Sequence, residues 1–278
     1  MKLRLCAFAD EAAINIEGQI AALKRNNIML IELRNADGKN VAEFSIQEAE
    51  DIKRKFDDNG IAVWSIGSPL GKSKIEEDFD IEKKKLDHIL NLCEVFKCNK
   101  VRVFSFFTTE YRKYRKEVLN RLRCMCIAAK KKGVTLYHEN EKEVYGDTVN
   151  RVRDLLDNID GLGCIFDPAN FIQCGQNITD AHKQLFDDVD YFHVKDFIKE
   201  TGEIVPAGYG DGKIHEQIKR MKKDYVFTIE PHLAVFSGYD KIDRSEMKNK
   251  FKFESNDEAF DYAVNSIKKI LLENNIRF

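Results

Sequence analysis

The segment "GVTLYHENE" (residues 133–141) is a short apolar run that ends in a cluster of polar side chains. A glycine precedes strand-forming residues, as is typical of a buried strand that follows a helix. The run ends in His138, Glu139, Asn140 and Glu141 instead of turn residues. A plain strand would simply continue into a solvated loop, whereas a strand that brings a ligand into a site would end in this way. The rest of the chain decides between these two interpretations.

Apolar runs of this kind occur eight times, and amphipathic stretches with helical spacing separate them. Eight strands that are each followed by a helix predict an α/β fold, a (β/α)8 TIM barrel that forms a single domain over residues 1–278. A doubly wound open sheet is the main alternative, but no GxGxxG follows the first strand. The eight runs are residues 3–9, 28–33, 61–67, 100–107, 134–139, 162–166, 189–194 and 225–230.

One connection is unusually long, because residues 233–255 separate the eighth strand from the last helical stretch. In a compact barrel, a connection of this length is usually either disordered or a functional lid. Four aromatic residues favour a packed segment, namely Phe236, Tyr239, Phe251 and Phe253. We therefore predict a lid over residues 233–255, after strand 8.

The composition argues against several classes of partner. Lys and Arg total 45 against 47 for Asp and Glu, so the chain lacks the excess of basic residues that nucleic-acid binding normally needs. No apolar stretch approaches the roughly 20 residues of a membrane span, and the N-terminal apolar run is too short for a signal peptide. The seven cysteines form no paired CxxC motifs, which indicates reduced thiols. We expect a cytoplasmic protein that binds a small molecule.

Each of the last four strands ends in a side chain that can bind a metal ion: Glu139, Asp167, His193 and Glu230. A lone Asp before Pro is more often a turn residue, and a lone His is more often a core imidazole. In a barrel, however, the C-terminal ends of the strands meet at one face, so the four groups would lie at the same level. Three carboxylates and one imidazole suit one divalent cation, with Mn²⁺ as the best fit and Mg²⁺, Co²⁺ and Zn²⁺ as alternatives.

This ligand set suggests chemistry beside a carbonyl group. A divalent ion bound to the adjacent C=O and OH groups of a ketose acidifies the neighbouring C–H. Glu139 and Glu230 would then flank the substrate on strands 5 and 8, where one removes the proton and the other returns it to the opposite face. That sequence epimerises the sugar through an enediolate. If one glutamate carries the proton between adjacent carbons, the result is aldose–ketose isomerisation.

The motifs "HENE", "FDPANF", "HVKD" and "EPH" resemble, in this order, those of the xylose isomerase-like TIM-barrel superfamily and its sugar phosphate isomerase/epimerase subgroup. "FADE", "IELRNADGKNV", "SIGSPLGK" and "VRVFSFF" extend the resemblance over essentially the whole chain. The resemblance implies that Glu139, Asp167, His193 and Glu230 hold one metal ion, and that Glu139 and Glu230 are the catalytic acid/base pair. It implies an isomerase or epimerase of carbohydrate metabolism that acts on a sugar or a sugar phosphate.

Other functions remain open on the same scaffold. A dehydratase (lyase) acting on a cyclic polyol would use the same metal site but expel a hydroxyl, and a non-catalytic barrel would only bind a sugar. The AP-endonuclease branch of the superfamily requires further histidines at positions where this chain has Arg34 and Asn35, Gly67 and Ser68, and Asn170. Its three-zinc site therefore cannot be built here in the same way, and DNA repair is the least favoured function.

Further polar residues near the strand ends are candidates for substrate contact: Glu32, Arg34, Ser68, Lys72, Asn170, Lys195 and His232. Arg34 suits a carboxylate or phosphate, although a surface ion pair is equally compatible with its position. The loop "GSPLGK" is not a P-loop, so a sugar hydroxyl and a phosphate both remain open there. "GYGDG" (208–212) offers backbone amides to an anion, or forms a simple turn. Such barrels often form homo-oligomers, but no sequence feature sets the number of subunits.

Overall fold

The computed structural model describes residues 2–235 and 251–278, and it contains eight parallel strands. The strands are Leu3–Ala7 (β1), Leu30–Leu33 (β2), Ala62–Ile66 (β3), Lys100–Val103 (β4), Thr135–Glu139 (β5), Gly163–Phe166 (β6), Val189–Val194 (β7) and Tyr225–Ile229 (β8). They form a closed barrel in which each strand pairs with its neighbours in the chain, and β8 pairs with β1. A helix follows every strand, so the chain is the single-domain (β/α)8 TIM barrel that the sequence predicts.

The helices surround the barrel, and side chains cap several of them. Asn15 accepts a hydrogen bond from Gly18 N at the start of the first helix, and Ser45 and Glu48 form a capping box on the second. None of the helices in the two described ranges is long and apolar enough to cross a membrane. The helices are Ile16–Arg25 (α1), Ile46–Asp58 (α2), Phe79–Phe96 (α3), Tyr111–Lys131 (α4), Val149–Asn158 (α5), Pro168–Gln173 (α6), Ile178–Leu185 (α7), Ile214–Arg220 (α8) and Asn256–Glu273 (α9).

Strand β4 is shorter than its apolar run, since it ends at Val103 although the run continues to Phe107. The loop after β3 takes over the backbone hydrogen bonds at this point, because Phe104 N donates to the carbonyl oxygen of Leu70 at 2.8 Å. Gly71 makes this close approach feasible, since a Cβ atom there would lie 2.1 Å from the carbonyl oxygen of Phe104. Tertiary packing therefore bends the chain away from the barrel before its apolar run ends.

Alternate residues of each strand point into the barrel and fill it in layers. One layer is an apolar cluster of Cys6, Ile165, Tyr191 and Val226. The next inward position along β7, two residues after Tyr191, is His193, and the one after it, Lys195, lies just beyond the end of the strand and is also polar. The barrel is therefore closed by apolar side chains in its lower part and carries polar side chains at its C-terminal end.

The long connection after β8 is described only in part, because residues 236–250 lie outside the described residues. At its far end, the rings of Phe251 and Tyr209 lie 5.5 Å apart, as do those of Phe253 and Tyr262. This end of the connection therefore packs on α9 and on the loop after β7. The lid itself stays a prediction.

His182 on α7 provides a test of the packing outside the barrel. Its ring lies between those of Phe166 and Phe186, at 5.4 and 5.6 Å, and neither ring nitrogen has a hydrogen-bond partner among the described residues. Burial lowers the pKa of His182 to about 4. An unfolded histidine binds its proton near pH ~6.5. Below that pH the unfolded state is protonated while the folded state is not, so the stability that the neutral ring contributes is lost between about pH 6.5 and pH 4.

We therefore expect the unfolding free energy of the wild type to fall over this pH window by about 3 kcal/mol more than that of His182→Phe. Urea unfolding at successive pH values measures the difference. His215→Gln, which replaces a half-exposed histidine on α8, serves as the control and should follow the wild type. A His182→Phe profile parallel to that of the wild type would contradict the expectation.

Candidate active site

The four candidate metal ligands meet at the C-terminal end of the barrel. Strands β5 to β8 bring Glu139, Asp167, His193 and Glu230 together so that one ligand atom from each lies within 4.8 Å of the others. Glu139 ends β5, while Asp167 and Glu230 directly follow β6 and β8. All four are buried. The periodicity of the strands thus delivers four ligands to one point.

Two atoms of this cluster have no hydrogen-bond partner among the described residues, namely Oε2 of Glu139 and Nδ1 of His193. Nδ1 of His193 lies 2.9 Å from Oε1 of Glu139 and 3.7 Å from Oε2 of Glu230. A buried polar atom without a partner costs about 1–3 kcal/mol, so native structures normally satisfy it. Carboxylate oxygens and a neutral imidazole nitrogen are ligands for divalent ions from Mg²⁺ to Zn²⁺. The residues present therefore fit a divalent metal ion.

Glu32 lies beside His193 inside the barrel and fixes the orientation of its ring. The Glu32 carboxylate accepts hydrogen bonds from Nε2 of His193 at 3.1 Å, from the Thr228 hydroxyl at 2.9 Å and from the Tyr191 hydroxyl at 3.1 Å. Because Glu32 holds the Nε2 proton, Nδ1 is the nitrogen that could bind a metal ion after losing its own proton. Protein donors occupy both carboxylate oxygens of Glu32, and its expected contact with substrate stays a prediction.

Arg34 is also buried, so it forms neither a surface ion pair nor an open anion contact. Its Nε and Nη2 donate to the two carboxylate oxygens of Asp10 at 2.9 and 3.1 Å, and Nη2 also reaches Glu11 at 3.0 Å. Nη1 donates to Oε1 of Glu230 at 3.0 Å. Arg34 therefore positions Glu230. The sequence reasoning missed Asp10 and Glu11 as site residues, although they closely follow the first strand.

Lys195 bridges two of the four candidate ligands. Its buried Nζ lies 2.5 Å from Oδ2 of Asp167 and 2.7 Å from Oε2 of Glu230. It is two residues beyond His193 and therefore points into the barrel on the same side of the strand. The structure thus places an ammonium group directly in the site.

Two asparagines hold the ligands of β5 and β6. The side chain of Asn140 donates to the carbonyl oxygen of Asp167 and accepts from its amide, both at 2.9 Å. The side chain of Asn170 donates to the carbonyl oxygen of Asn140 at 2.8 Å and to Oε1 of Glu139 at 3.4 Å. Asn170 therefore lies in the site and can orient Glu139, while Asn140, which sequence reasoning did not single out, fixes the backbone at Asp167.

Arg102 on β4 is a further site residue that sequence reasoning missed, although its inward position on the strand was a usable signal. Its Nη1 forms an ion pair with Oε2 of Glu139 at 3.3 Å. Its Nη2 donates to the carbonyl oxygens of Gly67 and Ser68 at 3.1 and 3.4 Å. The Ser68 hydroxyl in turn donates to the carbonyl oxygen of Arg102 at 2.6 Å. Ser68, which we expected to contact substrate, is fully buried, and its hydroxyl is hydrogen-bonded within the protein.

The two remaining candidates lie at the edge of the cluster. Lys72 pairs with Glu141 at 3.1 Å and is 12% exposed. Nε2 of His232 lies 3.4 Å from Oε1 of Glu230, and the His232 amide donates to Oε2 of Glu11 at 2.6 Å. His232 thus sits beside a candidate metal ligand, while Lys72 lies at the rim.

Opposite charges compensate for burial in the cluster. Burial alone disfavours an ionised Glu139, but the positive charges of His193 and Arg102 lower its pKa to about 2. Burial likewise disfavours a charged His193, but neighbouring carboxylates, Glu139 foremost, raise its pKa to about 10. For Asp167 burial prevails, and the pKa rises to about 7 although Lys195 opposes the shift. The cluster therefore attracts positive charge, whether from protons, from Lys195 or from a metal ion.

The chain belongs to the xylose isomerase-like TIM barrel family, whose model matches residues 20–241. A probable 3-DHS dehydratase, AsbF from Bacillus anthracis, superposes with a TM-score of 0.72 at 18% identity, covering 96% of this chain and 99% of that one. The IOLI protein with a bound zinc atom gives a TM-score of 0.72 at 15% identity, covering 98% and 99%.

D-psicose 3-epimerase, solved in the presence of D-fructose, gives a TM-score of 0.70 at 12% identity, covering 97% of this chain and 98% of that one. No curated protein sequence gives a significant match to the chain. At such low identities the three structures show a shared fold, and this agrees with the family assignment.

The role of Glu32 can be tested by metal binding alone. Glu32→Gln removes the negative charge that holds Nε2 of His193, so Nδ1 loses its fixed orientation. We expect the affinity for Mn²⁺ or Zn²⁺, measured by isothermal titration calorimetry, to fall about 10- to 100-fold. Tyr191→Phe removes one neutral donor to the same carboxylate, and its effect should be much smaller. Equal metal affinity in Glu32→Gln and the wild type would contradict this role.

Proposed function

We propose that the protein is a metal-dependent isomerase or epimerase that acts on a ketose sugar and moves a proton with Glu139 and Glu230. One observation carries the proposal: two glutamates at the ends of β5 and β8 converge with Asp167 and His193 in a buried cluster, where two atoms make no hydrogen bond to the described residues. Mn²⁺ fits the ligand set best, and Mg²⁺, Co²⁺ and Zn²⁺ are alternatives. The IOLI protein, which shares this fold, was solved with a bound zinc atom, and this supports a divalent ion.

A divalent ion held by these four residues would supply Lewis acidity to a bound carbonyl group. The chain itself supplies the proton transfer. Oε2 of Glu139 has no hydrogen bond among the described residues, and the nearby Arg102 keeps this carboxylate ionised, so Glu139 suits the role of base. Glu230 is held by Arg34 on one oxygen and by Lys195 on the other, so its position is fixed.

The stereochemical outcome depends on which group returns the proton. If Glu139 removes the proton and Glu230, after taking a proton from Lys195 at 2.7 Å, delivers it to the opposite face, the substrate passes through an enediolate and the stereocentre inverts. If a single glutamate returns the proton to the neighbouring carbon, a ketose becomes an aldose. Burial of both carboxylates keeps water from competing for this proton.

Hydrogen exchange at carbon provides the test. Protein reconstituted with Mn²⁺ is incubated with free ketoses and ketose phosphates in D₂O, and deuterium beside the carbonyl group is followed by NMR. We expect exchange with the wild type, and a loss of at least about 100-fold in Glu139→Gln and in Glu230→Gln. Glu50→Gln, which changes an exposed glutamate on α2, should exchange at the wild-type rate.

Full activity in either site variant would rule out the two-glutamate mechanism. Absence of exchange with every sugar, in protein shown by elemental analysis to hold one metal ion per chain, would rule out the isomerase or epimerase function as a whole.

A dehydratase is the second candidate, and Lys195 is the observation that favours it. A buried ammonium group beside Asp167 and Glu230 can protonate a leaving hydroxyl instead of returning a proton to carbon. The fold similarity to a probable 3-DHS dehydratase agrees with this possibility. Mass spectrometry of cyclic polyol ketones incubated with the protein distinguishes the two functions, since a dehydratase releases a product that lacks one water.

A further inference from the structure

We infer that the substrate is an uncharged polyhydroxy carbonyl compound, and that Asp196 is an internal anion occupying the loop where a phosphorylated substrate would otherwise bind. The inference rests on the proposed function and deepens it by naming the substrate class. In TIM barrels that bind phosphorylated substrates, the phosphate frequently lies on the loops after strands 7 and 8, beside a short helix. In this chain, Asp196 and the "GYGDG" segment (208–212) form the loop after β7.

Four backbone amides converge on the Asp196 carboxylate. Phe197 N and Gly212 N donate to Oδ1 at 2.9 and 2.8 Å, and Gly208 N and Gly210 N donate to Oδ2 at 3.0 and 3.1 Å. Asp196 itself is completely buried. Backbone amides that converge in this way form a concave anion site, here called the nest, and the protein's own carboxylate fills it.

The glycines of the loop fit this role. A Cβ atom at Gly210 would lie 2.5 Å from Oδ1 of Asp196, and one at Gly212 would lie 2.7 Å from the same oxygen. Only glycine allows both amides to approach the carboxylate so closely. Asp196 therefore satisfies the amides of this loop, whereas Lys195 beside it pairs with Asp167 and Glu230.

The basic side chains at the barrel mouth are similarly engaged. Within residues 2–235 and 251–278, each basic side chain that reaches the cluster or its rim has a carboxylate partner. The pairs are Arg34 with Asp10, Arg102 with Glu139, Lys195 with Asp167, and Lys72 with Glu141. A phosphate or carboxylate on the substrate would have to displace one of these partners.

Arg102 shows this restriction most clearly. A guanidinium binds a phosphate or carboxylate best through two parallel N–H groups. In Arg102, Nη1 faces Glu139 and Nη2 donates to the carbonyl oxygens of Gly67 and Ser68. Of the three guanidinium nitrogens of Arg102, only Nε has no hydrogen-bond partner among the described residues. A single N–H suits one neutral oxygen, such as a hydroxyl or a carbonyl.

The excess of acidic groups in the site also disfavours a phosphorylated substrate. Six buried carboxyl groups face three buried Arg and Lys side chains and the imidazole of His193, so acidic groups outnumber basic groups in this region. A phosphate group would add up to two negative charges to this buried region, where unpaired charge is costly. The carboxylates are Asp10, Glu11, Glu32, Glu139, Asp167 and Glu230, and the basic side chains are Arg34, Arg102 and Lys195.

Paired ligands test the substrate class directly. Binding of a free ketohexose and of its 1-phosphate and 6-phosphate to the Mn²⁺-loaded wild type is compared by isothermal titration calorimetry. We expect the free sugar to bind at least about tenfold more tightly than either phosphate, which is about 1.4 kcal/mol. A phosphate ester that binds as tightly as the free sugar, or more tightly, overturns the inference.

Inorganic phosphate tests the role of Asp196 without any substrate. In metal-free protein, we expect no saturable rise of Tm with phosphate, relative to chloride at equal ionic strength, for the wild type. Asp196→Ala empties the nest and should gain such a rise. Asp211→Ala is the control. Asp211 lies in the same loop, but its carboxylate accepts a hydrogen bond from Lys199 N and not from the amides that bind Asp196.

These outcomes distinguish a failure of the inference from a failure of the proposed function. Saturable phosphate binding by the wild type overturns the inference even if Asp196→Ala fails to fold. A folded Asp196→Ala variant without a phosphate response overturns the role of Asp196. If no sugar binds or exchanges at all, the proposed function fails, while the phosphate measurement still decides whether the nest is already filled.

Discussion

Repulsion between buried carboxylates is the constraint on which the upper part of this barrel depends. Three carboxylates and one imidazole each place one atom within 4.8 Å of the others, and all four side chains are almost inaccessible to water. Charges of equal sign at such distances and low dielectric are strongly destabilising unless opposite charges compensate for them. The positions of Arg34, Arg102 and Lys195 follow from this requirement, since each forms an ion pair with at least one of these carboxylates.

The basic residues and Glu32 also fix the orientation of the candidate ligands. Arg34 and Lys195 hold the two oxygens of Glu230, and Glu32 holds the far nitrogen of His193. Ligands fixed in this manner lose little conformational entropy when a metal ion or a substrate binds, which is the physical content of preorganisation. The apolar layer around Tyr191 supports them from below, because a packed interior gives the polar layer a rigid base.

Much of this arrangement was predictable from sequence, because a β-strand has a period of two and a parallel barrel aligns its strand ends. These two rules predicted the eight strands, the fold and the convergence of Glu139, Asp167, His193 and Glu230. They predicted less about which other polar residues remain open to a substrate. Glu32 shares the inward face of its strand with Arg34, yet hydrogen bonds from β7 and β8 occupy its carboxylate.

The sequence by itself therefore determined the barrel and the set of candidate ligands, since both follow from the order of the apolar runs and from the polar residues that end them. Only the tertiary structure decided the partners of each charge, because those partners are distant in the chain: Arg34 meets Glu230 across 196 positions, and His193 meets Glu32 across 161. The tertiary structure also decided that amides of the "GYGDG" segment donate to the Asp196 carboxylate. Amides from a folded loop and a carboxylate from a strand end come together only when the loop packs against the barrel.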